Sequence, residues 1–212
     1  MIDSGEGTPR EISDSLTDMR SLNRWFGGHS TALSLLRKVV ARTGQSRLNV
    51  LETGAGFGDV PLKAQKTLRA AGVHVDVTLL DRVAAHLGRG AHGVVADAMA
   101  LPFRDGAFDV VSCCLFAHHL EPAAILSYAN EALRVAKRAV VINDLVRHPL
   151  HYALAWTGGI FYRSRLTRHD APASVRRAYT LEEMSTMLRE SSAARVEVTG
   201  HYLYRMGAIA WK

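Results

Sequence analysis

Short apolar runs alternate with amphipathic stretches through the middle of the chain. The runs predict buried strands, and they lie at residues 48–51, 73–80, 94–95, 108–114 and 139–142. Between them, residues 61–71 and 122–136 place apolar side chains at helical spacing, and Pro122 suits the first turn of the second helix. Strands separated by helices of this size predict βαβ units and a parallel sheet.

The N-terminal residues follow a helical pattern from about Ser13 to Arg42. Leu33, Leu36 and Val40 recur at helical spacing, and the Gly27-Gly28 pair predicts a break into two helices. The first dozen residues are polar and are expected to be frayed.

The C-terminal third has a different pattern of apolar and polar residues. Residues 150–162 are mostly apolar and are interrupted by Gly158-Gly159. Thr180 and Glu183 have the spacing of a capping box, which predicts the start of a helix. Residues 196–198 and 202–211 then predict two strands with no helix between them, which indicates a closing antiparallel hairpin. The whole pattern predicts an α/β fold in three layers.

The most informative segment is a glycine-rich turn after the first strand, where Gly54, Gly56 and Gly58 follow Glu52 and precede a helix. Glycines let a backbone approach a ligand closely, and a helix N-terminus favours an anionic group. A dinucleotide fingerprint requires glycine where Asp59 stands, which disfavours a nicotinamide dehydrogenase. By itself, the turn is also compatible with a purely structural role in another α/β protein.

Three features downstream favour a ligand site. Asp81 ends the second strand, where a carboxylate can accept hydrogen bonds from a ribose diol. Residues 96–103, Ala-Asp-Ala-Met-Ala-Leu-Pro-Phe, follow the third strand, and residues 108–111, Phe-Asp-Val-Val, open the fourth.

Taken together, residues 48–145 resemble the class I S-adenosylmethionine-dependent methyltransferases. The resemblance implies a Rossmann-like three-layer sandwich whose mostly parallel seven-stranded sheet ends in a C-terminal antiparallel hairpin. It implies S-adenosyl-L-methionine as cofactor, held by Glu52, Gly54, Ala55, Gly56, Asp81, Asp97, Ala98, Met99, Cys114 and Leu115.

The resemblance also implies roles for these residues. The glycine turn would lie against the methionine part of the cofactor, with Glu52 near its amino group. Asp81 would hold the ribose, and Asp97 with the two residues after it would surround the adenine. Cys114 and Leu115 would sit beside the sulfonium. One departure is that residues 135–139, Val-Ala-Lys-Arg-Ala, replace the Pro-Gly-Gly turn that the family often has before its fifth strand.

Histidines are the candidate general bases, because an imidazole titrates near neutral pH. His118 and His119 follow the fourth strand, and His148 and His151 follow the fifth. We take His118, His119 and His148 as the catalytic candidates; the sequence does not single out one of them, and each is also compatible with a structural or exposed position.

The chain length predicts a single domain over residues 1–212, and the resemblance implies that it is a methyltransferase domain. We divide it into an N-terminal helical cap at 1–46, a cofactor-binding half at 47–145, a substrate-covering insertion at 146–180, and a helix with the closing hairpin at 181–212. Residues 22–28 are expected to close the substrate pocket from the other side.

The resemblance, the candidate histidines and the apolar insertion together predict methyl transfer to a small, largely apolar, aromatic acceptor. The predicted reaction is O-methylation of a phenolic or other hydroxyl group. Residues 143–147 and 174–178 resemble bacterial methyltransferases of secondary metabolism, some of which act on polyketide products. A C-methyltransferase acting on a quinol-type ring is the main alternative. A further alternative is a non-catalytic binding module that retains the cofactor fold.

The charge balance raises a nucleic-acid alternative. Lys and Arg number 26 against 20 Asp and Glu, a net charge of +6, and the excess is concentrated between Arg134 and Arg177. A basic stretch fits a nucleic-acid surface, a solvated surface or an entrance for an anionic substrate. Base N-methyltransferases commonly carry Asn/Asp-Pro-Pro-Tyr after the fourth strand, where residues 113–116 here read Cys-Cys-Leu-Phe. We therefore expect no nucleic-acid partner.

Composition adds expectations about environment. The two cysteines are adjacent, so they build no disulfide framework, and the first six residues are polar rather than a targeting segment. We expect a cytoplasmic protein with no membrane span. Asp and Glu do not cluster at the pocket edge, so we expect no metal requirement. The sequence indicates no oligomeric state.

Overall fold

A computed structural model describes residues 8–87 and 92–212 of the chain. Within them, a seven-stranded sheet has the order β3-β2-β1-β4-β5-β7-β6. The strands are β1 Arg47–Thr53, β2 His74–Asp81, β3 His92–Val95, β4 Phe108–Cys114, β5 Ala136–Leu145, β6 Arg195–His201 and β7 Arg205–Trp211. Strands β1 to β5 run parallel, and β7 lies antiparallel between β5 and β6. The predicted parallel sheet with a C-terminal antiparallel hairpin is confirmed.

Helices cover both faces of this sheet. They are α1 Pro9–Trp25, α2 Gly28–Thr43, α3 Asp59–Ala70, α4 Pro122–Val135, α5 Pro149–Thr157, α6 Arg165–Arg177 and α7 Leu181–Arg189. On one face α2 and α3 bury Leu36, Val39 and Leu68 against the strands. On the other, α4 and α7 contribute Ile125 and Met184 to a second core. The three-layer Rossmann-like fold is therefore confirmed.

Strand β1 lies at the centre of the parallel region, between β2 and β4. Leu48, Val50 and Leu51 are fully buried because helices cover both sides of the sheet. Such a strand appears in sequence as a nearly continuous apolar run, which is the pattern that predicted it. Its carboxyl end leads directly into the glycine turn.

The N-terminus differs from the expectation of a frayed segment. Helix α1 begins at Pro9, and Thr8 forms a capping box with Glu11. The expectation of fraying is wrong for residues 8–12, because the Thr8 hydroxyl and the Glu11 carboxylate satisfy backbone N–H groups at the helix start. For residues 1–7 it lies outside the described residues. The predicted break is confirmed at Gly27, which has a φ of 80°.

The junction before the fifth strand explains the departure from the family's Pro-Gly-Gly turn. Helix α4 ends at Val135, and β5 begins at Ala136 with no turn between them. Strand β5, Ala136–Leu145, is longer at both ends than the predicted residues 139–142. Ala136 adopts an extended conformation with φ −76° and ψ 146°, which any residue accepts easily, so no glycine is required here.

Three helical segments cross the carboxyl edge of the sheet. The apolar stretch at 150–162 forms α5 and a 3-10 helix, Gly158–Phe161, and is followed by α6, which the sequence analysis did not predict. Helix α1 packs on α6, where the buried Asp18 carboxylate accepts hydrogen bonds from the backbone N–H groups of Arg163 and Ser164. No helix among the described residues is long and apolar enough to cross a bilayer.

Candidate active site

The glycine turn lies at the carboxyl end of β1, directly before α3. Gly54, Gly56 and Gly58 all have positive φ, between 52° and 68°. A Cβ atom at Gly54 would lie 2.5 Å from the Phe116 ring, so this position requires glycine on steric grounds as well. At Gly56 a Cβ would meet no atom of the described residues within 4 Å, because the turn borders an open cavity there.

Asp81 holds the turn against the end of β2. Its carboxylate accepts hydrogen bonds from the backbone N–H groups of Gly56 and Val83, both at 2.9 Å. Nδ1 of His86 lies 3.3 Å from the same carboxylate. The side chain thus sits at the cavity wall with a fixed orientation.

Asp97 follows β3 and is exposed at the cavity edge. Its Oδ1 accepts a hydrogen bond from the Met99 N–H at 2.9 Å, which orders the loop. On the opposite side, Leu115 follows β4 with a φ of 57°, a left-handed conformation that a residue with a Cβ rarely adopts. Its N–H donates to the Asn143 carbonyl of β5 at 2.9 Å.

These elements enclose a cavity of about 460 Å³, which we call the cofactor cavity. The structure brings together in its lining all ten residues that the resemblance assigned: Glu52, Gly54, Ala55, Gly56, Asp81, Asp97, Ala98, Met99, Cys114 and Leu115. Helix α1 contributes further lining residues that the sequence analysis missed, namely Leu16, Met19, Arg20 and Asn23. Helical periodicity in α1 gave no signal that one face borders a ligand.

A second cavity, of about 570 Å³, lies next to the first and is called here the acceptor cavity. Its walls come mainly from α1, α5 and α6, and they are largely apolar: Leu22, Trp25, Phe26, Leu154, Phe161 and Val175. Met19, Leu115 and His119 line both cavities, so the two spaces adjoin at the end of β4. Trp156 and Ile160 of the apolar insertion line neither cavity and are exposed, and Trp25 and Phe161 of the lining are also largely exposed.

His118 and Asp144 form a buried pair at the wall of the acceptor cavity. Nδ1 of His118 lies 2.7 Å from Oδ1 of Asp144, and the His118 N–H donates to Oδ2 at 3.0 Å. Their side chains are only 4% and 2% exposed. The interaction with His118 holds the pKa of Asp144 below its usual value, although burial alone would raise it. The carboxylate thus fixes the Nδ1–H tautomer and leaves Nε2 as the basic nitrogen.

The other histidines occupy different environments. His119 is exposed, lines both cavities and packs beside His118 with ring centroids 4.2 Å apart. His148 is exposed and caps α5 through Nδ1, which accepts from the Leu150 N–H; it is not among the residues lining either cavity. His151 lines the acceptor cavity, and burial lowers its pKa.

Residues 51–142 match the family model described as a methyltransferase domain. The matched segment runs from β1 to β5 and contains all ten assigned residues of the cofactor cavity. This matched segment, which covers less than half of the chain, is similar to the class I S-adenosylmethionine-dependent methyltransferases.

Solved structures of methyltransferases show the same fold as this chain. The plantazolicin methyltransferase BpumL, in complex with a monoazolic desmethylPZN analog and SAH, is 13% identical with a TM-score of 0.70, over 96% of this chain and 90% of that chain. A SAM-dependent methyltransferase from Aquifex aeolicus is 19% identical with a TM-score of 0.57, over 82% and 88%. A protein described as an O-methyltransferase from Nostoc punctiforme is 15% identical with a TM-score of 0.60, over 87% and 56%. No curated protein matches the sequence significantly.

The cofactor cavity fits S-adenosylmethionine in its donor set. Carboxylates at the ends of β1 and β2 suit an ammonium group and a ribose diol, and the glycine turn leaves room for a chain lying against its backbone. Glu52 is buried and accepts a hydrogen bond from the Ser112 hydroxyl. Burial raises the pKa of Glu52 to about 7, against the opposing effect of its hydrogen bonds from Ser112 and Cys114. A bound ammonium group would favour its charged form.

Burial raises the pKa of the Cys114 thiol, so Cys114 borders the site as a neutral group rather than a thiolate. Among residues 8–87 and 92–212, no group of three or more His, Cys, Asp or Glu side chains could hold a metal ion. Asp144 lies in the segment 143–147 that the sequence singled out, but its contact with His118 was not predicted.

Proposed function

We propose that this methyltransferase transfers a methyl group to a phenolic hydroxyl of a small, largely apolar aromatic molecule of polyketide type. The His118–Asp144 pair carries the proposal, because it places a basic nitrogen at the wall of an apolar cavity that adjoins the cofactor cavity. When bound, S-adenosylmethionine supplies an electrophilic methyl group. The chain's own residues must then orient the hydroxyl and accept its proton.

His118 is the general base in this proposal. With Nδ1–H donating to Asp144, Nε2 accepts the hydroxyl proton, and the buried Asp144 carboxylate stabilises the imidazolium that forms. Asp144 itself accepts hydrogen bonds from the N–H groups of His118 and Leu145, so it stays ionised and fixed. His119 lies beside this pair at the border of the two cavities, and His148 lies at the start of α5.

The acceptor cavity supports an apolar, ring-shaped acceptor. Trp25, Phe26 and Phe161 provide aromatic surface, and aromatic pairs are favoured over other apolar contacts of equal area. Positioning is the main contribution that a protein can make to a displacement reaction, and an apolar pocket beside the cofactor cavity provides it. We further propose that the protein acts in the cytoplasm, in secondary metabolism, and binds no nucleic acid; a gel shift with tRNA and duplex DNA over a salt series tests the last point.

The test compares His118→Ala and Asp144→Asn with the wild-type protein on a panel of phenols, hydroxyquinones, resorcinols and amines. We expect kcat to fall by about 10²–10⁴ in each variant, as for loss of a general base, with little change in affinity for S-adenosylhomocysteine. The double variant should be no slower than the worse single variant, because the two residues act as a unit. Exposed His148→Ala is the matched control and should keep full activity.

Product analysis decides the atom that is methylated. Mass and NMR spectra that show an O-methyl product support the proposal. A new ring carbon–carbon bond would instead support the C-methyltransferase on a quinol-type ring, which needs a similar base and pocket. An N-methyl product, or full activity in His118→Ala, would contradict the proposal.

A further inference from the structure

Arg205 is a buried cation at the start of β7. The residue is 2% exposed, yet no carboxylate of the described residues lies within 4.0 Å of its guanidinium. Its Nε donates to the Phe26 carbonyl at 3.1 Å, and its Nη2 donates to Oδ1 of Asn23 at 2.9 Å. Both hydrogen-bond partners are neutral, and the electrostatic influence of Cys114 and Asp144 reaches Arg205 without an ion pair or hydrogen bond to either among the described residues. Burial accordingly lowers the pKa of Arg205.

The guanidinium has unused donors. It carries five N–H groups, of which the two hydrogen bonds use one on Nε and one on Nη2. Nη1 is buried and has no hydrogen-bond partner among the described residues. Two N–H groups on Nη1 and one on Nη2 therefore remain, which is the paired arrangement that a carboxylate accepts with both oxygens.

Arg205 lines the acceptor cavity, as does His118, the proposed base. In the antiparallel register it pairs with Leu145, the residue next to Asp144. Asp144 does not satisfy it, because that carboxylate already accepts from His118 and from two backbone N–H groups.

The turn that leads into Arg205 is strained. Leu203 and Tyr204 have φ values of 49° and 59°, although neither is glycine, and both also line the acceptor cavity. Backbone in this region persists only where the surrounding structure enforces it, and such positions concentrate at ligand sites. The strain is therefore consistent with a turn shaped to present Arg205 to a ligand.

We propose that Arg205 binds a carboxylate group of the acceptor, which makes the substrate a hydroxylated aromatic acid; this inference rests on the proposed methylation of a hydroxyl group. The anion supplies the direct ion-pair partner that the described residues do not provide. The apolar walls hold the ring, and the fork of Arg205 fixes its orientation relative to His118. A purely structural role, tying Asn23 and Phe26 to the hairpin, is the competing explanation.

The first experiment uses the wild-type protein saturated with S-adenosylhomocysteine. Isothermal calorimetry measures the binding of salicylate and of a hydroxynaphthoate, each against its neutral primary amide as a probe of nearly equal shape. We expect each acid to bind about tenfold or more tightly than its amide, the range for a charge-assisted hydrogen bond. A protein that binds neither acid more tightly than its amide, including one that binds no probe, overturns the proposal.

Variants then separate binding from structure. Arg205→Gln should abolish the preference for acid over amide and leave amide binding unchanged, whereas Arg205→Lys should keep part of the preference. Arg176→Gln, an exposed arginine outside the cavity lining, is the control and should behave as wild type. An equal loss of acid and amide binding in Arg205→Gln supports the structural explanation instead. If Arg205→Gln fails to fold, the wild-type comparison and Arg205→Lys still decide the matter.

The two proposals fail in different ways. Wild-type selectivity for acids, together with full activity in His118→Ala, would overturn the catalytic role and leave the Arg205 site standing. O-methylation that depends on His118 but shows no preference for acids would overturn the Arg205 site alone.

Discussion

Burial changes the acid–base behaviour of Glu52, the acidic residue two positions before the first glycine of the turn. Its pKa of about 7 means that the carboxyl group is largely protonated below neutrality when no ligand is bound. An ammonium group bound nearby favours the charged carboxylate and lowers this pKa. Ligand binding at pH 6 should therefore release a proton from Glu52.

We predict that affinity for S-adenosylhomocysteine rises with pH between about 5.5 and 7.5, as Glu52 loses the proton that binding would otherwise have to release. Calorimetry at pH 6, in two buffers with different enthalpies of ionisation, measures the proton directly. Glu52→Gln is the control and should show neither the proton release nor the rise. Buffer-independent heats in the wild-type protein would exclude Glu52 from contact with the amino group.

Residues of the site differ in how far sequence could predict them. The ten predicted cofactor residues lie at or just after the carboxyl ends of successive strands. Short sequence motifs at those places are therefore enough to point to all ten. The partnership of His118 with Asp144 depends on the pairing of β4 with β5, in which Cys114 lies opposite Asn143. The position of Arg205 depends on β7 inserting between β5 and β6. Neither pairing follows from local pattern.

At the level of elements, the glycine turn combines backbone conformation with space for the ligand. Gly56 and Gly72 both have positive φ, at 52° and 81°, and a Cβ at either would meet no described atom within 4 Å. Gly56 lines the cofactor cavity, whereas Gly72 lies in the turn between α3 and β2. A side chain at either position would therefore have the same conformational cost, but only a side chain at Gly56 would enter the cofactor cavity.

We predict that Gly56→Ala and Gly72→Ala each lower the free energy of unfolding by about 1–2 kcal/mol, the cost of a left-handed alanine. Only Gly56→Ala should also weaken the binding of S-adenosylhomocysteine, because its methyl group enters the space beside the turn. Denaturant unfolding measures the first effect and calorimetry the second. Equal ligand affinity in the two variants would contradict a close approach of the cofactor at Gly56.

Sequence predicted the strands better than it predicted the helices over the carboxyl edge. Strands β1, β2 and β4 are mostly buried, and their apolar runs identify them to within about two residues at each end. Helix α6 buries few side chains, among them Leu166, Thr167, Pro172 and Val175. A helix with an internal proline and so narrow a buried face lacks the apolar periodicity that pattern reasoning requires.

At the scale of the whole molecule, the proposed chemistry uses an imidazole base and needs no Lewis acid. We predict that dialysis against EDTA leaves the activity unchanged and that added magnesium has no effect. Asp144, which a hard cation would need as a ligand, is committed to His118 and two backbone N–H groups. Activity lost with EDTA and restored by magnesium would overturn the metal-free proposal.

The cofactor cavity joins parts of the chain that are distant in sequence. Its lining includes Met19 of α1, Gly56 of the turn, Asp81 of β2 and Leu115 after β4. A ligand that contacts all of them binds only the folded state, so it stabilises the whole domain by mass action. At one hundred times its dissociation constant, S-adenosylhomocysteine should add about 2.7 kcal/mol to the free energy of unfolding. For a domain of this size, that corresponds to a rise in Tm of about 5–10 °C.

NADH at the same concentration should leave Tm unchanged. The turn has Asp59 at the position of the last glycine in a dinucleotide fingerprint, and its carboxylate would lie where the pyrophosphate approaches the start of α3. Differential scanning calorimetry with each ligand makes the comparison. Asp81→Asn is the matched control and should reduce the rise with S-adenosylhomocysteine, because a neutral amide accepts weaker hydrogen bonds from a ribose diol than a carboxylate does. A shift with NADH, or none with S-adenosylhomocysteine, would contradict the assignment of this cavity.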